Sequence, residues 1–401
     1  MRNAWAVVGL NYGDEGKGRI VSELAEPVDV VVKHNGGSQA GHTVLCPDGT
    51  HKFIFSQYGS GTFSGAATYL ASTFVVDPVV LAMERSLLER HADANVDRLY
   101  AHPSCRVATF YDVDFNQSQE NLRGDVRHGS CGHGVFSTIK RNIFATDSID
   151  NHSLSLLEIK ALSRANILAK LKSIRSYYEI EYLRAGMEAP ASLRDDSLAE
   201  TVADGLIDGS EHIKITADPE TIFNNDHGWY IFESGQGLML DYRWNRESYP
   251  HLTPSNTGVE NVLGFLKNVP ARLEYVDFVT RPYITRHGAG PLPNEISIEE
   301  LLKIAPRFSD KTNAPNQYQG KLRFAPWTEE TVVERSAMLN QIKDLCWLLH
   351  KDVCFEIKMT CGDQMTREYL DEIYGVFWEH FNAPVSDYSC DVMATATLLK
   401  D

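Results

Sequence analysis

The chain has 401 residues, 43% hydrophobic and 10% aromatic, enough for a sizeable core in one large α/β unit. A formal net charge of −16 argues against broad binding to nucleic acid or anionic membranes, but leaves room for a small basic pocket that takes a nucleotide. Seven cysteines, at 46, 105, 131, 346, 354, 361 and 390, form no C-x-x-C pair, which points away from zinc and disulfide frameworks and toward a reducing, cytoplasmic compartment.

The opening "MRNAWAVVGL" carries one arginine and a short apolar run that reads as a strand. It is too short for a signal peptide or a spanning helix, and no other stretch approaches transmembrane length. "NYGDEGKG" follows and leads into the helix-like "KGRIVSELA". Gly13, Gly16 and Gly18 let backbone N–H groups approach phosphate oxygens, the helix start adds its positive end, and Lys17 can neutralise phosphate charge. A Walker loop places Ser or Thr after Gly-Lys to bind Mg²⁺; here Gly18 follows, and the glycine spacing differs too. The stretch is therefore either an ordinary tight turn or a phosphate loop in which another group takes the metal. Asp14 is the hard oxygen ligand in the same loop.

Residues 30–44, "VVVKHNGGSQAGHTV", read as a buried strand ending in a glycine turn at Gly36, Gly37 and Gly41. His42 follows, with Ser38 and Gln39 beside it. Strand ends are where α/β sheets place ligand sites, and a histidine there serves either as a general acid or as a structural turn residue. Its pairing with the first loop favours function.

Further strand-like runs are "ATYLAST", "DRLYAH", "WYIFES" and "YVDFVTRPYIT", separated in part by helical patterns such as "DPVVLAMERSLLERH". Such alternation predicts a mostly parallel central sheet. Residues 151–215 predict a helical insertion beside it. Residues 305–327, proline-rich and turn-rich, predict a long functional loop. With no flexible linker, residues 1–401 read as a single domain.

The pair "GDEGKG" and "GGSQAGHTV" resembles the adenylosuccinate synthetase family, and the resemblance continues in order along most of the chain. "RGDVRHGSCGHG" (123–134) is similar to that family's IMP-phosphate loop, and "ESGQGLMLD" (233–241) to its glutamine-bearing strand. "YPHLTPSNTG" (249–258) and the ribose segment "ITRHGAGPLPNE" (284–295) come next. "YQGKLRF" (318–324) stands where the family has an arginine-rich aspartate loop. "TCGD" (360–363) and "APVSDYSCD" (383–391) lie roughly where it reads the donor base.

The resemblance implies the fold of that family and a ligase that joins L-aspartate to C6 of a 6-oxopurine nucleotide. The reaction runs through a 6-phosphoryl intermediate and uses a nucleoside triphosphate and Mg²⁺. By the same resemblance Asp14 is the base and a metal ligand, Gly41 gives the metal a carbonyl, and His42 is the acid. Gly13, Glu15, Gly16, Lys17, Gly18, Asp363 and Ser389 fall at the donor nucleotide. Ser38, Gln39, Ser130, Cys131, Gln236, Thr253, His287 and Gly288 fall at the acceptor, with Arg141 the nearest counterpart of a cross-subunit arginine, although its spacing differs. Gly320, Lys321 and Arg323 form the aspartate loop. A homodimer in the cytoplasm (the host's, if the chain is phage-encoded) acting on small molecules, with no nucleic-acid or membrane partner, completes the expectation.

Departures from the family pattern shift the expected substrates. Gln39 stands for an asparagine, His287 for a valine, Lys321 and Arg323 for several arginines, Cys361 for a lysine, and "SCD" for a Ser-x-Gly-Pro segment. These favour the phage branch of the family, which takes dGMP toward 2-aminoadenine DNA, with ATP or dATP as donor. IMP with GTP is the alternative, and a non-catalytic nucleotide-binding relative is the second. Asp14 cuts the other way, since some enzymes of the phage branch replace it.

Overall fold

The computed structural model describes residues 1–145, 151–309 and 318–388. Nine strands form one sheet, in the order Val385–Tyr388, Cys354–Thr360, Ala271–Thr280, Arg2–Gly9, Tyr230–Gly237, Val30–Lys33, Ala67–Leu70, Leu99–Ala101 and Lys214–Ile215. Every neighbouring pair in this sheet is parallel, so the sheet goes beyond "mostly parallel". Among the described residues, antiparallel ladders occur in two small ribbons, Tyr283–Arg286 with Arg323–Pro326 and His42–Leu45 with Lys52–Phe55.

Strands buried on both faces need apolar residues at successive positions, and "AWAVVG" supplies them. Ala4, Ala6 and Val8 face the large core under the helices Glu329–Leu349 and Arg367–His380. Val7 faces Ile20 and Val21 of the helix Lys17–Leu24. Strand order grows in one direction from Arg2–Gly9 toward Lys214–Ile215. The chain then returns to insert Tyr230–Gly237 beside Arg2–Gly9 and grows the other way. The switch point therefore lies between these two strands, and their carboxyl ends carry the glycine loop and Gln236.

The helical insertion contains Leu156–Ala161, Arg164–Arg184 and Asp196–Ser210. Its apolar cluster also enlists the upstream helix Phe110–Arg123, through Tyr111 and Phe115. The helix Val135–Ala145 joins this body through Arg141, and this corrects the cross-subunit expectation for that residue. Arg141 is fully buried; its Nε and Nη2 bond Asp112 at 2.8 and 3.0 Å and its guanidinium also reaches the carbonyl of Val107. It is an internal tie, out of reach of a second subunit. Within 305–327, residues 323–326 form a strand instead of loop, and 310–317 lie outside the described residues.

Asp277 is a carboxyl inside the sheet, 1% exposed. Burial pushes it up to about 7, against a smaller opposing pull from Lys358, while Glu356 adds to the rise. The native state thus keeps a proton that the unfolded chain releases above pH 4, so this group costs stability as pH rises from about 4 toward 7. Asp277→Asn is expected to stabilise the fold by an amount that grows with pH, on the order of 2–4 kcal/mol by pH 8. Urea unfolding of both proteins at pH 5 and pH 8 measures it, and an equal effect at the two values would refute the assignment.

Candidate active site

The glycine loop is braced at successive points. Asn11 N and Lys17 Nζ both bond the Glu15 carboxylate, at 2.5 and 3.0 Å, so Lys17 is buried beside its own counter-charge. The Thr360 hydroxyl donates to the Glu15 carbonyl at 2.6 Å, which sets the "TCGD" turn, with Asp363, against the loop. The Thr285 hydroxyl donates to the Gly13 carbonyl at 2.7 Å. Gly16, at φ 96, takes the left-handed conformation that starts the helix Lys17–Leu24. Asp14 is also left-handed, at φ 61.

Gly18 explains the missing hydroxyl. A Cβ at this position would lie 2.7 Å from Cβ of His42, so the helix start packs directly on the second glycine turn. Any side chain here, a Walker Ser or Thr included, would displace the histidine.

His42 is held by a residue that the motif comparison quoted but did not single out. Glu233, in the middle of the strand Tyr230–Gly237, is fully buried and bonds His42 Nδ1, the Ser60 hydroxyl, Ser60 N at 3.1 Å and Lys33 Nζ at 3.3 Å. Burial opposes its charge, but His42, Lys33 and the Ser60 hydroxyl outweigh that and hold the carboxyl well below the usual range. Burial also pushes His42 below the ordinary imidazole value, with Glu233 opposing. An ionised carboxylate only accepts, so Nδ1 carries the hydrogen and Nε2 is the other nitrogen. Nε2 is buried and has no hydrogen-bond partner among the described residues. The signal for Glu233 was a charged residue inside the apolar run "WYIFES"; Lys33 at the end of "VDVVVKH" is its counterpart.

Around these groups lies a cavity of about 590 Å³. Gly13, Asp14, Lys17, Gln39, Gly41, His42, Ser130, Cys131, Gln236, Thr253 and His287 all border it. Asp14 also meets His287, whose Nε2 is 3.5 Å from Oδ2. Ser38 stands behind the wall, its hydroxyl 3.4 Å from His133 Nδ1. Ser130 is oriented by Asn116, which donates to its hydroxyl at 2.9 Å. Burial pushes the Cys131 thiol up to about 11, so it is a neutral wall group. Unassigned residues that also border the cavity include Tyr12, His128, His251 and Arg286. Arg286 stacks on Tyr12 at 4.2 Å and donates to the His251 carbonyl at 3.0 Å, joining two walls.

Several expected residues do not border this cavity. Glu15, Gly16 and Gly18 lie behind the loop, and Asp363 lies in the adjoining turn. Gly288 closes the neighbouring turn, its N–H donating to the Gln319 carbonyl at 3.2 Å. Gly320 and Lys321 are exposed. Arg323 is engaged by Glu295 and by the carbonyls of Gly288 and Gly290, each at 2.7 Å. Ser389 lies outside the described residues.

The family model for adenylosuccinate synthetase matches residues 6–369. Adenylosuccinate synthetase of Methylibium petroleiphilum is 28% identical over 375 residues, which cover 91% of this chain and 80% of that protein. That of Legionella pneumophila is 29% identical over 348 residues, 85% and 75% of the two chains. Among solved structures, fully ligated adenylosuccinate synthetase from Plasmodium falciparum matches with a TM-score of 0.59 at 19% identity, over 89% of this chain and 76% of that one. Cyanophage S-2L succinoaminodeoxyadenylate synthetase, bound to dGMP and to dATP as an energy donor, matches with a TM-score of 0.58 at 16% identity, over 96% and 93%. The two structures share the fold.

Glu233→Gln removes the charge that fixes His42 while keeping its shape. Turnover is expected to fall about 100-fold, with substrate KM changed only a few-fold. Steady-state kinetics on the folded variant test this, and near-normal kcat would rule out the positioning role.

Proposed function

This chain belongs to the adenylosuccinate synthetase family and is a carbon–nitrogen ligase of that type, and we propose that it joins L-aspartate to C6 of dGMP with ATP or dATP as phosphate donor. The observation that carries the reading is the convergence of Asp14 and the Glu233-bound His42 on one nucleotide-sized cavity. In this reading Asp14 accepts the N1 proton of the purine. O6 then attacks the γ-phosphorus and the nucleoside diphosphate leaves. The amine of aspartate adds at C6, and phosphate departs with O6 while the nitrogen gives up one proton to solvent or to the leaving phosphate. His42 takes up a proton at Nε2 when the anionic nucleotide binds, with Glu233 as counter-charge, and then donates toward O6 as negative charge develops there.

Asp14 and the Gly41 carbonyl are hard oxygen donors on the same cavity, which suits Mg²⁺, a cation that takes one or two carboxylates and shares substrate phosphates. When bound, Mg²⁺ would neutralise charge on the donor phosphates. Lys17 faces those phosphates, and Ser130, Gln236 and Thr253 hold the acceptor. Lys321 and Arg323 grip the aspartate carboxylates once Arg323 exchanges Glu295 for substrate. The enzyme is expected to work as a homodimer.

Guanine offers the same N1–H and C6=O as hypoxanthine, so the chemistry suits both. The departures at Gln39, His287 and Cys361 favour dGMP with an adenine donor, the pair bound to the cyanophage protein. A second reading, IMP with GTP, draws on the retained Asp14 and the bacterial relatives.

Phosphate release with L-aspartate separates these readings. Release with dGMP and ATP or dATP is the expected result, release only with IMP establishes the second reading, and release with neither acceptor sinks the ligase assignment. Asp14→Ala and His42→Ala are each expected to lower turnover about 1,000-fold or more while leaving the melting temperature within a few degrees.

A further inference from the structure

His287 stands beside Asp14 because two contacts set the register between their segments. Thr285 bonds the carbonyl of Gly13, and Arg286 lies over the ring of Tyr12. One residue beyond Gly13 and two beyond Thr285, Asp14 and His287 meet at 3.5 Å on the wall of the cavity. The neutral tautomer with its hydrogen on the nitrogen that faces the carboxylate presents a lone pair at the other. That second nitrogen, Nδ1, is buried and has no hydrogen-bond partner among the described residues. A buried acceptor without a donor calls for a ligand that brings one.

We propose that His287 selects a 2-amino-6-oxopurine over a plain 6-oxopurine, by accepting a hydrogen bond from the exocyclic amine next to the N1–H taken by Asp14. This rests on the reading of Asp14 at N1. On a guanine base, N1–H and the 2-amine are adjacent donors on one edge; Asp14 and His287 are adjacent acceptors on one wall. Hypoxanthine has only C–H at C2, which would leave the imidazole nitrogen buried and unsatisfied. A site built around a ligand N–H discriminates strongly against an analogue that lacks it.

dGMP and dIMP differ only at C2, so their kcat/KM ratio isolates this contact from any effect of the sugar. The wild-type enzyme is expected to prefer dGMP by tenfold or more. His287→Val should cut that preference about tenfold, through a higher KM for dGMP and little change for dIMP. His287→Gln, which keeps a side-chain acceptor, should retain part of the preference. Calorimetric binding of dGMP and dIMP to both variants gives the same ratio where turnover is low. If the wild type prefers dGMP and His287→Val weakens both nucleotides equally, the role of His287 fails alone. If the wild type prefers dIMP, the dGMP reading fails with it, whatever the variants do.

Discussion

A single buried carboxylate organises this molecule. Glu233 sits in the middle of a strand, paired there on both sides with parallel neighbours, where an isolated charge would cost several kcal/mol. The charge persists because Lys33 comes from the adjoining strand, Ser60 donates from a loop, and His42 donates from the second glycine turn. Each partner belongs to a different segment. Satisfying the carboxylate therefore fixes those segments relative to one another and leaves one imidazole nitrogen bare toward the cavity.

The first glycine loop is built around this arrangement. Gly18 lacks a side chain because the helix start lies directly against His42, so the hydroxyl of an ordinary Walker loop has no room. The carboxylate of Asp14, one turn earlier in the loop, faces the cavity instead. Metal-binding oxygen and general base are thereby proposed to be one group, which keeps the loop close to both the donor phosphates and the purine edge. The chain carries a net charge of −16, yet its buried cations at the site are matched locally: Lys17 by Glu15 and Lys33 by Glu233. Arg286 borders the cavity with two backbone carbonyls and an aromatic face as its partners. It is a fixed positive group in the cavity wall, of the sign that suits the anionic nucleotide proposed to bind there.

Arg141 and Arg323 show that the resting partner of a basic residue is set by packing as well as by its place in a motif. Each sits at or near a position where a related loop would offer an arginine to a ligand. In the folded chain Arg141 is sealed against Asp112 in the helical body. Arg323 clamps the turn that carries Gly288 and Gly290. A guanidinium has five donors and takes whatever carboxylates and carbonyls the packing brings to it, so its partner is decided by tertiary contacts.

The sequence by itself determined the parallel sheet, the two glycine turns and their chemical residues, because these are written in local signals: continuous apolar runs, glycines at strand ends, and Asp14 and His42 within their motifs. It carried Glu233 and Lys33 as charges in otherwise apolar strands, but nothing local says that two such charges 200 positions apart will meet. Only the tertiary structure decided that Glu233 orients His42, that Gly18 is required by His42, and that His287 lies against Asp14. The physical reason is that hydrogen bonds and ion pairs in a low-dielectric interior are set by which strand ends the sheet order places side by side, and strand order is a property of the whole chain.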